Sequence, residues 1–199
     1  KDGVIGGRMS KLLSLGGLRG IVMRAPGITA TKDFYVKQWG LSVSRQEDHQ
    51  VWLRGTGSEP CIYGLKDDNV YGIDHISFWM ASAAEVDAMY QQVTNKGADV
   101  FGPPAAVDDP FGGYGFELLD PDGRRLRISA DVEHHAAEDR HAYPRKLSHV
   151  VLNSPDMDRG ETWYQEVLGF RTSDYSADQM VFLRCANDHH AIALVRAQY

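Results

Sequence analysis

Two stretches of the chain share one pattern and decide the fold: Leu18–Leu41 reads LRGIVMRAPGITATKDFYVKQWGL, and Leu147–Phe170 reads LSHVVLNSPDMDRGETWYQEVLGF. Each begins with an apolar run containing β-branched residues, continues through a proline, and then places apolar residues at helical spacing up to a glycine. The apolar run predicts a strand, the spacing predicts a helix, and the glycine is typical of a helix C-terminus. The chain therefore contains a repeated strand–helix unit.

A second matching segment follows each of these stretches. Val51–Ile62 (VWLRGTGSEPCI) aligns with Val181–Ile192 (VFLRCANDHHAI). Short runs rich in β-branched residues predict three strands after each helix, which makes the unit β-α-β-β-β. The predicted strands are Leu41–Gln46, Gln50–Arg54 and Cys61–Leu65 in the first copy, and Arg171–Tyr175, Met180–Arg184 and His190–Val195 in the other.

A further copy of the unit begins at Gly72. Its first strand is Ile73–Trp79, and Ser82 with Glu85 three residues later forms a capping-box pattern that opens a helix. Asp120–Gly123 has proline second and glycine fourth, which suits a type I turn. The remaining strands are predicted at Asp99–Phe101, Gly115–Leu119 and Arg125–Ser129, with a loop over Pro103–Gly113.

The units predict an α+β fold and a division of the chain into domains. Residues 18–132 hold units one and two as one domain, and the polar segment 133–145 is interpreted as a linker. Residues 146–199 hold unit three, and a fourth copy is expected where the sequence stops. Residues 1–17 are interpreted as an N-terminal extension, in which Met9 is a possible native start.

Composition and charge exclude several classes of function. The net charge is −6 with no basic stripe, so a nucleic-acid partner is not expected. No apolar run approaches the roughly 20 residues that span a bilayer, and Lys1–Ser10 lacks the apolar centre of a signal peptide. Cys61 and Cys185 are too few for a disulfide framework in a chain this long. We therefore expect a cytoplasmic protein with no membrane partner.

Comparison of the copies points to candidate functional residues. Gly20 of unit one aligns with His149 of unit three, and Glu59–Pro60 aligns with His189–His190. A duplicated scaffold with histidines in only one of these copies separates packing from chemistry. His149 and His190 are therefore the first candidates for a site, while His189 is expected at the rim.

The other histidines are interpreted as structural. His75 holds the strand position of His149 in unit two, but Arg127 stands where a partner carboxylate would be expected, and a cation would repel a metal ion. His134, His135 and His141 lie in the polar linker, where we expect solvated side chains rather than an oriented metal site.

The ordered set of motifs resembles the vicinal oxygen chelate superfamily, which contains glyoxalases, bleomycin-resistance proteins and dioxygenases. The tandem βαβββ units and the DPDG turn before the last strand of unit two carry this resemblance. Within the superfamily, SHVVLNSPDMDRGETWYQEVLGF looks like the start of the catalytic domain of type I extradiol dioxygenases. FLRCANDHHAIAL looks like their strand that bears the acid–base histidine. The resemblance implies half-barrels built from pairs of units, four units in all.

The resemblance also implies a reaction and roles for two residues. Family members cleave a catechol-type ring next to its vicinal hydroxyls, using O₂ and Fe(II), occasionally Mn(II), held by two histidines and a glutamate. By this resemblance His149 is a metal ligand and His190 the acid–base residue. The second histidine and the glutamate belong to a fourth unit that this sequence lacks, so we expect little activity from the chain alone.

Two alternatives remain open. Units one and two could form a non-enzymatic module whose cavity binds a small aromatic or other hydrophobic ligand, with unit three completed by another copy in a homo-oligomer. A glyoxalase or isomerase would need a glutamate at the end of unit two or three. Arg127 and the apolar run Ala193–Val195 stand there instead.

Overall fold

The computed structural model describes residues 12–197, and it contains three βαβββ units. Unit one consists of β1 Gly17–Ala25, α1 Ile28–Trp39, β2 Ser42–Glu47, β3 Gln50–Arg54 and β4 Tyr63–Asp67. Unit two consists of β5 Gly72–Trp79, α2 Ala83–Asn95, β6 Ala105–Ala106, β7 Tyr114–Leu119 and β8 Arg125–Ala130. Unit three consists of β9 Val150–Ser154, α3 Met157–Leu168, β10 Arg171–Ser176, β11 Met180–Arg184 and β12 Ile192–Arg196. The predicted α+β class and tandem units are confirmed.

The strands form two sheets. Units one and two share an eight-stranded sheet in the order β2-β3-β4-β1-β5-β8-β7-β6. The first strands of the two units, β1 and β5, pair antiparallel at its centre, and each also pairs in parallel with the last strand of its own unit. Unit three forms a four-stranded sheet in the order β10-β11-β12-β9. Its first strand, β9, pairs in parallel with β12 as β1 does with β4.

The predicted helix ends are present. Helices α1 and α3 both end at glycines in the left-handed conformation, Gly40 at φ 70° and Gly169 at φ 69°, where other residues would be strained. At the start of α2 the Ser82 hydroxyl accepts from the Glu85 N–H, and the Glu85 carboxylate accepts from the Ala81 N–H. Local signals therefore set these boundaries.

One strand prediction in unit two was wrong. Asp99–Phe101 makes only an isolated bridge, Val100 to Leu118, and the strand β6 lies within the segment predicted as a loop. The reason is the pair Pro103-Pro104 between them, which has no N–H to donate to a ladder. Pairing with β7 therefore stops and resumes at Ala105–Ala106.

The hydrophobic core runs continuously from unit two into unit three. Phe78 of β5 and Phe170, just after α3, meet edge to face with ring centroids 5.9 Å apart. Leu15, from the segment predicted as an extension, is 2% exposed and belongs to this core. The Gln92 amide of α2 donates to the Val167 carbonyl of α3 at 2.9 Å. A separate, smaller core lies beneath α1, which has no buried residue of its own.

The segment 133–145 runs along the surface of unit one, with most of its residues exposed to solvent. Its backbone exchanges hydrogen bonds with residues 55–58: Glu138 N–H donates to the Thr56 carbonyl, and the Pro144 carbonyl accepts from Thr56. The Arg54 guanidinium also pairs with the Glu138 carboxylate at 2.6 Å. This segment therefore follows a fixed path. Among the described residues, none of the helices is long and apolar enough to cross a bilayer.

Candidate functional site

Unit three brings His149 and His190 together at one end of its sheet. Their ring centroids are 4.3 Å apart, with 45° between the ring planes. Each histidine precedes one of two neighbouring parallel strands, β9 and β12, and the Val150 N–H donates to the Ala191 carbonyl at 3.1 Å. The sheet register therefore juxtaposes two residues that are far apart in the sequence.

The exact placement of both histidines differs from the prediction. His149 was expected mid-strand and His190 at the start of a strand, but β9 begins at Val150 and β12 at Ile192. The cause is the ladder, whose first paired residues are Val150 and Ile192. His149 is consequently exposed, and its Nδ1 lies 3.0 Å from the Ser148 hydroxyl.

His189 joins this pair, which simple strand alternation did not predict. The Nδ1 atoms of His189 and His190 are 2.9 Å apart, so one ring donates and the other accepts. Phe182 of β11 packs against His190, with centroids 4.9 Å apart. Since residues 189 and 190 lie in the turn before β12, their side chains need not point to opposite faces.

The environment of His190 favours a neutral ring. Partial burial lowers its pKa below 6.5, and the neighbouring His149 and His189 lower it further, while Asp188 acts in the opposite direction. A neutral imidazole has a lone pair with which it can accept a proton at neutral pH. The geometry is therefore compatible with acid–base chemistry.

The described residues do not complete a metal site. No group of three or more His, Cys, Asp or Glu side chains within 12–197 is placed to hold a metal ion. The nearest carboxylate along the chain, Asp188, is paired with Lys146 at 2.6 Å, and Ala193 and Leu194 of β12 are buried and apolar. His149 and His190 could supply two nitrogen ligands at most, so a facial site of two histidines and a carboxylate is not complete within residues 12–197.

Unit one fills the equivalent position with backbone. The Ile21 N–H donates to the Ile62 carbonyl as Val150 donates to Ala191, so Gly20 corresponds to His149 and Cys61 to His190. This corrects the sequence alignment, which placed Pro60 opposite His190. A Cβ on Gly20 would lie 2.7 Å from the Cys61 carbonyl oxygen, which leaves no room for a side chain.

A buried ion pair lies beside this closed position. Arg19 and Glu59 form a 2.6 Å contact, with side chains 8% and 20% exposed. The Arg19 guanidinium also reaches the Ser129 carbonyl in unit two at 3.4 Å. This part of unit one therefore stabilises packing and offers no open coordination position.

In unit two, His75 is a buried and paired histidine. It is 4% exposed, and its Nδ1 lies 2.8 Å from an Asp74 carboxylate oxygen. Burial lowers the pKa of His75, and the positive charge of Arg127 also contributes, while the bond to Asp74 partly opposes them. Arg127 pairs with Glu117 at 2.8 Å and Asp109 at 3.2 Å, so a cation does occupy the position expected for a carboxylate.

The sequence did not predict the polar cavity that contains His75. It measures about 450 Å³ and lies between the eight-stranded sheet and the segment 106–109. Its lining includes Trp52, Lys66, Asp74, His75, Glu117 and Arg127. A signal was available in the sequence, because charged residues recur along β7 and β8, but only the sheet register directs them toward one space.

The histidines of the linker are partly ordered by unit one. The His135 Nε2 lies 2.9 Å from the Ser44 hydroxyl, and its ring meets Phe111 edge to face. His134 Nδ1 lies 3.4 Å from the Ser58 carbonyl oxygen. His141 is exposed and contacts Asp139 at 2.8 Å. The three histidines do not converge on one point.

Comparison with known proteins identifies the family. The model of the Glyoxalase/Bleomycin resistance protein/Dioxygenase superfamily matches residues 17–128 and 146–198. The chain belongs to this superfamily. The matched ranges contain units one and three and all of unit two except the end of β8, and they leave out most of the segment between units two and three. The resemblance inferred from the sequence is confirmed.

Individual superfamily members show different named activities. The chain is 43% identical over 56 residues to metapyrocatechase 2 of Cupriavidus necator, a stretch covering 27% of this chain and 18% of that protein. It is similar to the Mn(II)-bound glyoxalase of Novosphingobium aromaticivorans, at 33% identity and a TM-score of 0.88, covering 94% of this chain and 63% of that one. The chain therefore spans less than two thirds of either relative.

Extradiol enzymes share the superfamily fold with this chain. The homoprotocatechuate 2,3-dioxygenase of Arthrobacter globiformis matches with a TM-score of 0.80 at 20% identity, covering 92% of this chain and 60% of that one. A 2,3-dioxygenase of Pseudomonas sp. KL28 matches with a TM-score of 0.79 at 18% identity, covering 94% and 72%. At these identities the likeness establishes the fold alone.

Proposed function

We propose that this chain forms the N-terminal domain and half of the catalytic domain of an extradiol dioxygenase, which cleaves a catechol-type ring next to its hydroxyls with O₂ at non-haem Fe(II). The observation that carries the proposal is the contact of His149 with His190 at an accessible end of unit three. The local identity to a metapyrocatechase supports it. The substrates are a small aromatic diol and O₂.

The two histidines have different roles in this proposal. His149 is a ligand of Fe(II), or of Mn(II), which a superfamily relative binds. His190, whose ring is kept neutral by burial and by its histidine neighbours, accepts and returns a proton of the bound diol. The remaining ligands come from a fourth unit, following residues 146–199, so the chain alone has little ring-cleaving activity.

The free edge of unit three supports such a completion. In the eight-stranded sheet β1 has β4 on one side and β5 on the other, whereas within the described residues β9 pairs with β12 alone. Val151 on β9 is 54% exposed. An exposed strand edge is a site for further pairing, which a fourth unit or a second copy in a homo-oligomer would supply. A cytoplasmic location belongs to the same proposal.

Metal binding tests the role of His149. Mn(II) is titrated into the chain and followed by electron paramagnetic resonance. We expect weak binding of about one ion per chain, and a loss of roughly tenfold or more in affinity in His149→Ala. His141→Ala removes a 92% exposed linker histidine and is the matched control. Equal affinities in the parent chain and His149→Ala, or no binding in either, would contradict the assignment.

Ring cleavage tests the need for further ligands. The chain is incubated aerobically with Fe(II) and catechol or dihydroxybiphenyl, and the yellow ring-opened product is followed by absorbance. We expect no product above a metal-only blank. Rapid yellowing that depends on His149 would establish the reaction but overturn the proposal that the site needs a fourth unit.

The glyoxalase relative favours a second candidate, because at 33% identity it is closer in sequence than the structural matches named as dioxygenases. Against it, Arg127 stands at the end of unit two, and β12 (Ile192–Arg196) contains no carboxylate. Isomerisation of a glutathione hemithioacetal by the Mn(II)-loaded chain, lost in His149→Ala, would favour the glyoxalase. No turnover of this substrate is the result we expect.

A further inference from the structure

The eight-stranded sheet holds a second candidate site, away from His149 and His190. Paired residues form one row across four strands: Trp52 on β3 faces Gly64 on β4, Gly64 faces Val22 on β1, and Val22 faces His75 on β5. Directly paired residues point to the same side of a sheet. Gly64 has no side chain, and the Val22 side chain packs beside it, since a Cβ on Gly64 would lie 2.8 Å from Val22 Cγ2. Trp52 and His75 therefore stand on the same side of the sheet, on either side of Val22 and Gly64.

Trp52 carries a hydrogen-bond donor with no partner. Its side chain is 95% buried, since only 5% is exposed, and its indole N–H meets no acceptor among the described residues. Leaving such a donor unpaired costs about 1–3 kcal/mol. An unpaired donor in the lining of a cavity therefore indicates that a ligand or a water binds there. Trp52 lines the cavity of about 450 Å³ and a smaller one of about 40 Å³ beside it.

His75 places an acceptor next to the same spaces. Its Nδ1 is bonded to Asp74, which Lys66 also contacts at 3.0 Å. In the neutral ring this fixes the proton on Nδ1 and leaves a lone pair on Nε2 that can accept a hydrogen bond. His75 lines both cavities together with Trp52 and Arg127. The smaller cavity has room for about one water or one hydroxyl group.

The charges of the larger cavity disfavour an anion. Its three cationic side chains already pair with carboxylates, and the carboxylates outnumber them by one. The cations are Lys66, Arg125 and Arg127, and the carboxylates are Asp74, Asp108, Asp109 and Glu117. These groups offer both acceptors and donors to hydroxyl groups, whereas a purely apolar ligand would strip them of water at a cost. This differs from the apolar cavity considered from the sequence.

We propose that this cavity binds a small uncharged polyhydroxyl molecule of single-ring size. One hydroxyl enters the smaller cavity, where it accepts from the Trp52 indole N–H and donates to His75 Nε2. The remaining hydroxyls meet the carboxylates and the Arg127 guanidinium of the larger cavity. The inference is independent of any metal chemistry in unit three, because none of these groups belongs to that unit.

The test uses matched probes on the whole chain. Glucose and myo-inositol are titrated against ¹⁵N-labelled protein, and the indole N–H signals are followed by NMR, with the Trp52 signal identified by Trp52→Phe. We expect saturable shifts of the Trp52 signal with a millimolar dissociation constant. Glucuronate, which adds one negative charge, should bind at least about tenfold more weakly than glucose.

Two variants and one control decide the outcome. His75→Gln should weaken glucose binding by about tenfold or more and serves if Trp52→Phe fails to fold, whereas His149→Ala should leave binding unchanged. If neither glucose nor myo-inositol shifts the Trp52 signal at probe concentrations of tens of millimolar, the cavity contains only water and the proposal is overturned. Binding that is indifferent to His75→Gln, or stronger for glucuronate, would also overturn it.

Discussion

Units one and three have the same backbone arrangement at one end of the sheet, but they place different residues there. In unit three, His149 and His190 lie side by side at an accessible end of the sheet. In unit one, Gly20 and Cys61 take these places, and the Cys61 carbonyl oxygen lies 2.7 Å from where a Gly20 Cβ would be. The shared hydrogen-bond pattern builds both positions, but only unit three has room for a side chain at the position of His149. Duplication therefore preserved the scaffold and left the site to local packing.

The largest expected effect comes from forcing a histidine into the closed position. Gly20→His would press its Cβ against the Cys61 carbonyl and the Ile62 backbone, so we expect the free energy of unfolding to fall by about 3 kcal/mol. His149→Ala, at the open position, should change it by less than about 0.5 kcal/mol. Urea denaturation followed by circular dichroism measures both. Similar losses in the two variants would break the comparison.

The ion pair Arg19–Glu59, beside Gly20, is expected to give the second largest effect on stability. Glu59→Gln leaves the Arg19 guanidinium buried without its carboxylate, and we expect a loss of about 2 kcal/mol, below that of a fully buried pair because Glu59 is 20% exposed. The exposed pair Lys146–Asp188 of unit three is the matched control, and Asp188→Asn should cost under about 1 kcal/mol. The same denaturation experiment measures both variants. An unchanged free energy of unfolding in Glu59→Gln would show that the pair does not stabilise the fold.

The buried histidine of unit two predicts a pH-dependent stability. Because burial lowers the pKa of His75 in the folded state, the unfolded chain binds the extra proton first as the pH falls below 6.5. Stability from this group is complete above pH 6.5 and decreases below it, by at most about 1.4 kcal/mol per pH unit. His75→Gln should flatten the slope between pH 7.5 and 5.5, a range set about the unperturbed value. An unchanged slope would contradict a buried neutral His75.

The smallest effect concerns the titration of His190. Its pKa should lie below 6.5 in ring-proton NMR spectra. His149→Ala removes one of the neighbours that lower this pKa, so the midpoint should rise toward 6.5. His141→Ala should leave it in place. A midpoint above 6.5 in the parent chain would contradict the lowering of the His190 pKa by burial and by its two histidine neighbours.

Much of the fold could be predicted because its signals are local. Ser82 and Glu85 marked the start of α2, and the glycines after α1 and α3 marked the ends of those helices. The strand pairing around Pro103-Pro104 could not be predicted in the same way. It depends on which N–H groups reach β7, and sequence spacing does not describe that.

The candidate sites, too, could be predicted from the sequence only in part. His149 and His190 were found from the sequence because they differ between copies of a repeat, but their contact and their position before the strands required the ladder. Arg127 was interpreted from the sequence only as an obstacle to metal binding. The cavity that it shares with Trp52 emerged only when β3, β5 and β8 were placed in one sheet.

The sequence by itself determined the repeated βαβββ unit, its order along the chain and the superfamily. The unit and its order follow from periodicity and turn residues within short windows, whereas the superfamily was inferred from the resemblance of the ordered motifs. Only the tertiary structure decided that Gly20 is closed, that His149 meets His190, and that Trp52 faces a polar cavity with His75. The physical reason is the register of strands distant in sequence, which sets the distances between side chains and therefore the chemistry available to them.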